Sequence, residues 1–302
     1  MESFLLILVA LTAGYLLKRK YPDTQGHVII NQWILNIALP ACTFYYLPKV
    51  QWSSDMIFPI VGSMIVLLSC SLYLGTLQKP LGLNRNDRAS LTLGSAYSNT
   101  SFVGFPLITA LYGEEYLSIA IIVDQVNFLL VSTFGIVRAI SGGGEPGQKV
   151  ELKYVVNRLA RFVPFWTCII VLSLGQWIPF GRLDVLWSKL AATIAPMALF
   201  SVGLQLNFKG IWSDLKFLTI GLFYKLLLAP TILLLIALGF GFSGMIAKIT
   251  IIEAAMPTLI TSSIIAQQYK LNSEWINRMI GVSILLSLGT TYVWKVIMEY
   301  VL

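Results

Sequence analysis

Three ionisable side chains stand inside long apolar runs of this 302-residue chain: Asp124, Lys225 and Glu253. Charged groups in hydrocarbon are costly and rare, and where they occur they commonly bind, pair or relay protons. Two stretches are as unusual. "GSAYSNTSFVGFPL", Gly94 to Leu107, sets glycines, serines, a threonine, an asparagine and a proline inside an apolar run, and "EAAMPTLITSS", Glu253 to Ser263, does much the same. A hydroxyl or amide side chain does no covalent chemistry without a base or metal beside it. What these residues do is interrupt a helix and offer neutral ligands. In a bilayer each unpaired backbone amide costs several kcal/mol, so unwound chain survives only inside protein or against a polar cavity. Half-helices ending there turn N–H groups toward anions and carbonyls toward cations. The chemistry indicated is reversible binding of a small charged solute. Its candidate ligands are Ser98, Asn99, Thr100 and Ser101 on the first stretch, with Pro257 and Thr258 on the second. Helix packing through small residues is the plainer alternative.

The three charges extend the candidate site. Lys225 lies about 10 residues into its apolar run, roughly 15 Å at 1.5 Å per residue, where snorkelling to headgroups is a weak explanation. It either pairs with a carboxylate or holds an anionic solute. Asp124 shares a helical side with Asn127 and adjoins Gln125, so a polar seam and a buried hydrogen-bonded pair are both open. Glu253 precedes Pro257 by one helical turn. Asp124 and Glu253 are the candidates for a coupling ion or proton, and permanent pairing is the alternative for each.

Enzyme chemistry finds little to work with. There is no HExxH, GxSxG or repeated CxxC, and Asp124 has no partner suited to an intramembrane protease. Cys42, Cys70 and Cys168 all lie in apolar segments and read as small buried hydrophobes rather than a disulfide set or metal site. The lone His27, beside Gly26, reads as a solvated loop residue. No cofactor and no metal are expected.

The elements that must position these residues are membrane helices. Hydrophobic residues make up 57% of the chain and charged residues 12%, about half the usual charged share of about 25%. Apolar runs of about 20 residues, enough to cross a core about 30 Å thick, recur from end to end. Ten spans follow, at 3–17, 28–47, 56–77, 88–112, 115–140, 152–177, 184–206, 215–240, 245–269 and 274–300. The first is retained rather than cleaved, because Glu2 stands where a signal peptide needs basic residues and "KRK" follows the apolar run. "SGGGEPGQK", 141–149, resembles a phosphate-binding loop only superficially and reads as a linker. Basic residues fall fifteen to one side of the membrane and five to the other, with Lys225 left inside a span. That bias marks the richer side as cytoplasmic and places both termini outside the cytoplasm. The net charge of +7 therefore reflects loops and not nucleic-acid binding.

The halves echo each other. "NIALPACTFYYLPKVQWSSDMIF" answers "TIAPMALFSVGLQLNFKGIWSDLKF", with Pro40 against Pro196. Aligning Ser98 with Pro257 puts a helix break at matching points of both. An odd number of spans per half makes the repeats inverted, 1–140 and 152–302 about a linker at 141–151, with a solute site where the interrupted helices meet.

The chain resembles the auxin efflux carrier family, which includes plant PIN carriers and bacterial permeases assigned to malonate and related acids. The resemblance runs along essentially the whole chain and is carried by "SNTSFVGFPL", "APMALFSVGLQL", "KLLLAP" and "EAAMPTLITSS". It implies an all-α polytopic fold of ten helices in two inverted five-helix repeats, with broken, crossing fourth and ninth helices. It also implies a scaffold from the first, second, sixth and seventh helices, and an elevator-like movement of the rest. Asn99 matches the asparagine after the first break, Pro257 the second crossing proline, Lys225 a basic residue five before Pro230, and Gln125 a fifth-helix glutamine. Ser98 replaces the first crossing proline, and the central loop is short, which favours a small carboxylate such as malonate over auxin.

The expectation is a secondary transporter of a small organic anion in the plasma or inner membrane. Proton or sodium coupling and, by analogy, a homodimer are further expectations. A non-transporting receptor or sensor on the same fold and a cation/proton antiporter remain the alternatives.

Overall fold

The computed structural model describes residues 2–144, 152–175, 177–178 and 180–302. Among these the chain is helical, and the single extended pairing is an isolated antiparallel bridge between Ser98 and Thr258. Six helices are long and apolar enough to cross a membrane: Gly26–Lys49, Ser54–Gln78, Glu114–Gly143, Gly181–Gln205, Ile211–Phe240 and Ser273–Val301. Glu2–Lys20 is also helical, with three basic residues in its last turn. Residues 145–151 of the expected linker lie outside the described residues, and its first part is the end of the Ile136–Gly143 helix.

The three other expected spans are interrupted. The run 88–112 divides into Arg85–Ala96 and Thr100–Leu111, and 245–269 into Gly244–Ala254 and Ile260–Gln268. The run 152–177 divides as well: Leu152–Ala160 ends before Phe162, which is extended ahead of Pro164 at the start of Val163–Leu174. Pro164 has no N–H to return to the Ala160 carbonyl and its ring would clash with it, so the helix Leu152–Ala160 does not run on through this point.

Prolines shape the continuous helices too. Three π-helical turns, Ile34–Ala38, Thr100–Gly104 and Tyr224–Leu228, each end two residues before a proline: Pro40, Pro106 and Pro230. A proline inside a helix lacks the N–H for the carbonyl four residues back and clashes with it; the wider turn makes room. At Pro230 that carbonyl belongs to Leu226, and the Trp294 indole N–H donates to it at 2.9 Å. A fourth π turn, Val131–Gly135, has no such proline.

Packing follows the same economy of space. Glu2–Lys20 crosses Ile194–Gln205 where Gly14 faces Gly203; a Cβ on Gly203 would sit 3.1 Å from the Gly14 Cα and closer still to the Leu11 carbonyl. Small residues let the two backbones touch, the usual device of membrane helices. Exposed Leu8, Leu68, Leu72 and Leu235 cover the outer surface, as suits a body solvated by lipid.

Candidate functional site

The site is built from two interruptions that complete each other. Beyond Ala96 the chain turns extended at Tyr97 (φ −110°, ψ 131°) and resumes helix at Thr100. Beyond Ala255 it does the same, with Leu259 extended (φ −66°, ψ 128°) before Ile260. The two extended pieces lie antiparallel. The Asn99 N–H donates to the Pro257 carbonyl at 2.8 Å, and the Leu259 N–H to the Tyr97 carbonyl at 3.1 Å. Each break thus supplies the backbone partners that the other lost on leaving the helix.

Side chains complete the satisfaction. Asn127 behaves like a third strand: its Nδ2 donates to the Ser98 carbonyl at 2.8 Å and its Oδ1 accepts from the Ser98 N–H at 3.4 Å. The Thr258 N–H donates to Ser283 Oγ at 3.0 Å, and Thr258 Oγ1 donates to the Gly94 carbonyl at 2.8 Å. Lys225 Nζ donates to Ser98 Oγ and, at 3.2 Å, to the Ala254 carbonyl. Gly94 and Ala254 sit in the last turns of their half-helices, where carbonyls have no intrahelical partner and carry the negative end of the dipole. The ammonium is therefore placed where a helix C-terminus favours a cation.

In front of the crossing lies a cavity of about 780 Å³. Asn99, Ser101 and Asp124 line it, as do Phe102, Ile260 and Thr261 from the first turns of the resumed half-helices. Asn99 is buried, and its Nδ2 has no hydrogen-bond partner among the described residues, so an amide donor is free for an occupant. Asp124 accepts hydrogen bonds from Thr100 Oγ1 and, at 3.2 Å, from Gln125 Nε2. At the mouth stand Arg158 and Arg161, with His27 and Asn157. The Phe128 and Phe162 rings stack beside it, 3.4 Å between centroids.

The expected ligands therefore separate. Asn99, Ser101 and Asp124 reach the large cavity. Ser98, Thr100 and Glu253 line a much smaller one behind the crossing. Lys225, Pro257 and Thr258 hold the crossing itself together. Gln125 is buried against Asp124, with its Oε1 unpartnered, and lines neither cavity. Glu253 is fully buried, and neither of its carboxyl oxygens has a hydrogen-bond partner among the described residues.

His27 corrects the sequence reading. It belongs to the first turn of Gly26–Trp33 and lines the large cavity, because the helix begins at Gly26 rather than after it. Asn31, Gln32, Gln205, Asn277, Arg158 and Arg161 also line the cavity and were not singled out from sequence. The recurrence of His27 and Asn31 at helical spacing was the available signal.

A family model described as a membrane transport protein matches residues 1–157 and 167–295. An uncharacterized transporter of Methanothermobacter thermautotrophicus is 26% identical over 98% of this chain and 98% of its own. A second, from Methanocaldococcus jannaschii, is 25% identical over 97% of each. A probable auxin efflux carrier component, 5a, of Oryza sativa subsp. japonica is 28% identical over 52% of this chain and 46% of its own.

Proposed function

The chain belongs to the membrane transport protein family, that of the auxin efflux carriers, and from this premise we propose that it is a secondary carrier of a small organic anion. The solute class is a carboxylate such as malonate, or an auxin-like acid. The observation that carries the reading is the crossing itself: two breaks, paired by backbone, presenting two helix N-termini and the free Asn99 amide to one cavity. N-terminal N–H groups favour an anion, and Arg158 and Arg161 at the mouth would draw one in. The occupant would be held by neutral donors within and guided by charge without.

The architecture proposed is ten helices in two inverted repeats. Matched packing supports it. Glu2–Lys20 lies on Ile194–Gln205 as Val163–Leu174 lies on Leu39–Tyr46, its counterparts in the other half. Ile57–Gln78 touches Gly244–Ala254 and Leu117–Leu130, as Leu215–Phe223 touches Arg85–Ala96 and Ser273–Val301. The first, second, sixth and seventh helices would form the scaffold, against which the crossing domain slides.

Helix ends on the side rich in basic residues line the cavity, which supports reading this state as inward-facing. At the opposite end Tyr46 OH donates to Glu114 Oε2 at 2.8 Å, a bond between the proposed scaffold and the proposed moving domain. Uptake of labelled mono- and dicarboxylates into proteoliposomes containing the purified protein tests the reading. Saturable, protein-dependent uptake of at least one carboxylate is expected. Binding of one without any flux across the bilayer would replace the carrier by a receptor.

A further inference from the structure

We propose, resting on the carrier reading above, that Glu253 carries a proton that crosses the membrane together with the anion. The charge inventory of the crossing sets the problem. Asp124 and Glu253 are acidic, Lys225 is the one cation among the described residues that acts on Glu253, and the carboxylate solute adds a further negative charge. Arg158 and Arg161 line the large cavity but do not act on Glu253, so at the crossing itself a solute anion meets two carboxylates and one ammonium and is repelled unless a positive charge comes with it. Asp124 has donors of its own, the Thr100 hydroxyl and the Gln125 amide. Lys225 is committed to Ser98 and the Ala254 carbonyl. Glu253 has neither: both oxygens are buried without a donor. A carboxylate in such a place costs far more than a neutral carboxyl.

The surroundings favour a proton over a metal cation. Glu253 opens on the small cavity behind the crossing, about 10 Å³, shared with Ser63, Ser98, Thr100, Asn127 and Thr250, room for about one water. Two of the oxygens there already accept, Ser98 Oγ from Lys225 and Asn127 Oδ1 from the Ser98 N–H, while the Thr100 and Thr250 hydroxyls are turned to donate to Asp124 and the Ile246 carbonyl. A metal ion would also stand next to the Lys225 ammonium. A proton adds no bulk and removes a negative charge. The remaining titratable group near Lys225 is Cys70, a buried thiol. Gly104 sets the fit, for a Cβ there would lie 2.7 and 2.9 Å from Glu253 Oε2 and Oε1; the carboxyl rests directly on the π-helical turn of the first break. Movement of that turn relative to Gly244–Ala254 would change what Glu253 touches. In the cycle, an O–H bond forms on Glu253 from a proton of the aqueous phase on one side and breaks to water on the other.

Two measurements test this, using wild type, E253Q and E253D in proteoliposomes. Difference infrared spectra between acid and alkaline buffer should contain a protonated-carboxyl band that E253Q lacks and E253D retains at a shifted position. With the membrane potential clamped at zero, labelled malonate should accumulate in wild-type vesicles under a pH difference of about one unit, alkaline inside, up to about tenfold for one proton carried with each dianion. E253Q should exchange malonate across the bilayer but only equilibrate it. Accumulation that persists in E253Q, or that follows a sodium gradient instead, overturns the proposal. If no vesicle takes up malonate or any other carboxylate, the anion reading falls by itself, and the infrared band still decides whether Glu253 holds the proton. A band unchanged in E253Q overturns it whatever the flux.

Discussion

Asn99 and Lys225 separate two jobs that the sequence left merged. Both were legible as functional because polar and charged side chains are rare in apolar runs, but their division of labour depends on which atoms meet in space. Asn99 holds the crossing with its backbone, donating to Pro257 and accepting from Gly104 at 3.0 Å, while its side-chain amide is left for an occupant. Asn99→Ala removes only the amide. It should therefore keep the melting temperature near wild type and weaken carboxylate binding by roughly 1–3 kcal/mol, about five- to a hundredfold. Titration of the purified variant beside a thermal melt checks both halves, and normal affinity would move the ligand site elsewhere. Lys225 is the reverse case. It does not line the large cavity, but ties Ser98 to the end of Gly244–Ala254. Lys225→Gln loses charge-assisted bonds to two buried acceptors, a loss of roughly 1.5–3 kcal/mol in stability. A clear fall in melting temperature with less than a tenfold change in affinity is expected. A larger loss of affinity with unchanged melting would make the ammonium a direct anion ligand.

Elements were readable where a single residue type dictates them and unreadable where pairing does. The breaks at 97–99 and 256–259 follow from Ser98, Asn99 and Pro257, residues that a membrane helix has little use for. That Tyr97 to Asn99 would pair with Pro257 to Leu259 is a contact across about half of the chain, invisible to local pattern. The division near Phe162 is a similar case: the run 152–177 is apolar enough to read as one span, yet Pro164 starts a new helix, and the short helix before it brings Arg158 and Arg161 to the cavity mouth. The π turns show how local rule and distant partner combine. Pro230 dictates that the Leu226 carbonyl loses its helical donor, but only the fold reveals that Trp294 replaces it. Trp294→Phe keeps an aromatic side chain but loses the pyrrole half of the buried indole with its donor, stranding a carbonyl in a buried place. A cost of about 1–3 kcal/mol follows, and the thermal melt should fall while carboxylate affinity stays within about twofold. An unchanged melt would mean that water or the widened turn satisfies Leu226 without the indole.

At the scale of the whole molecule the sequence spoke through charge. Basic residues cluster at loops that alternate in sequence, and the alternation carries an orientation that no single helix has. The structure groups the corresponding helix ends: Arg158, Arg161, Gln205 and Asn277 surround one mouth, while Tyr46, Glu114 and Lys49 stand around a separate cavity. The prediction is that the first group faces the cytoplasm and that the carboxyl-terminal helix ends outside. Single cysteines and an impermeant thiol reagent can test it, because Cys42, Cys70 and Cys168 are buried and contribute little background. The probe position matters. Gly143 looks attractive in sequence, but a Cβ there would collide with the Tyr269 carbonyl, whereas Ser141 is exposed at the same end of its helix. Tyr300 is 87% exposed in the last turns of Ser273–Val301. Ser141→Cys should be labelled only after the cells are permeabilised, and Tyr300→Cys in intact cells. The reverse pattern would invert the protein, turning the arginine-lined mouth outward and making the described state the outward-facing one. Labelling of both in intact cells would require an even number of crossings between them, and the ten-span arrangement would fall with the orientation.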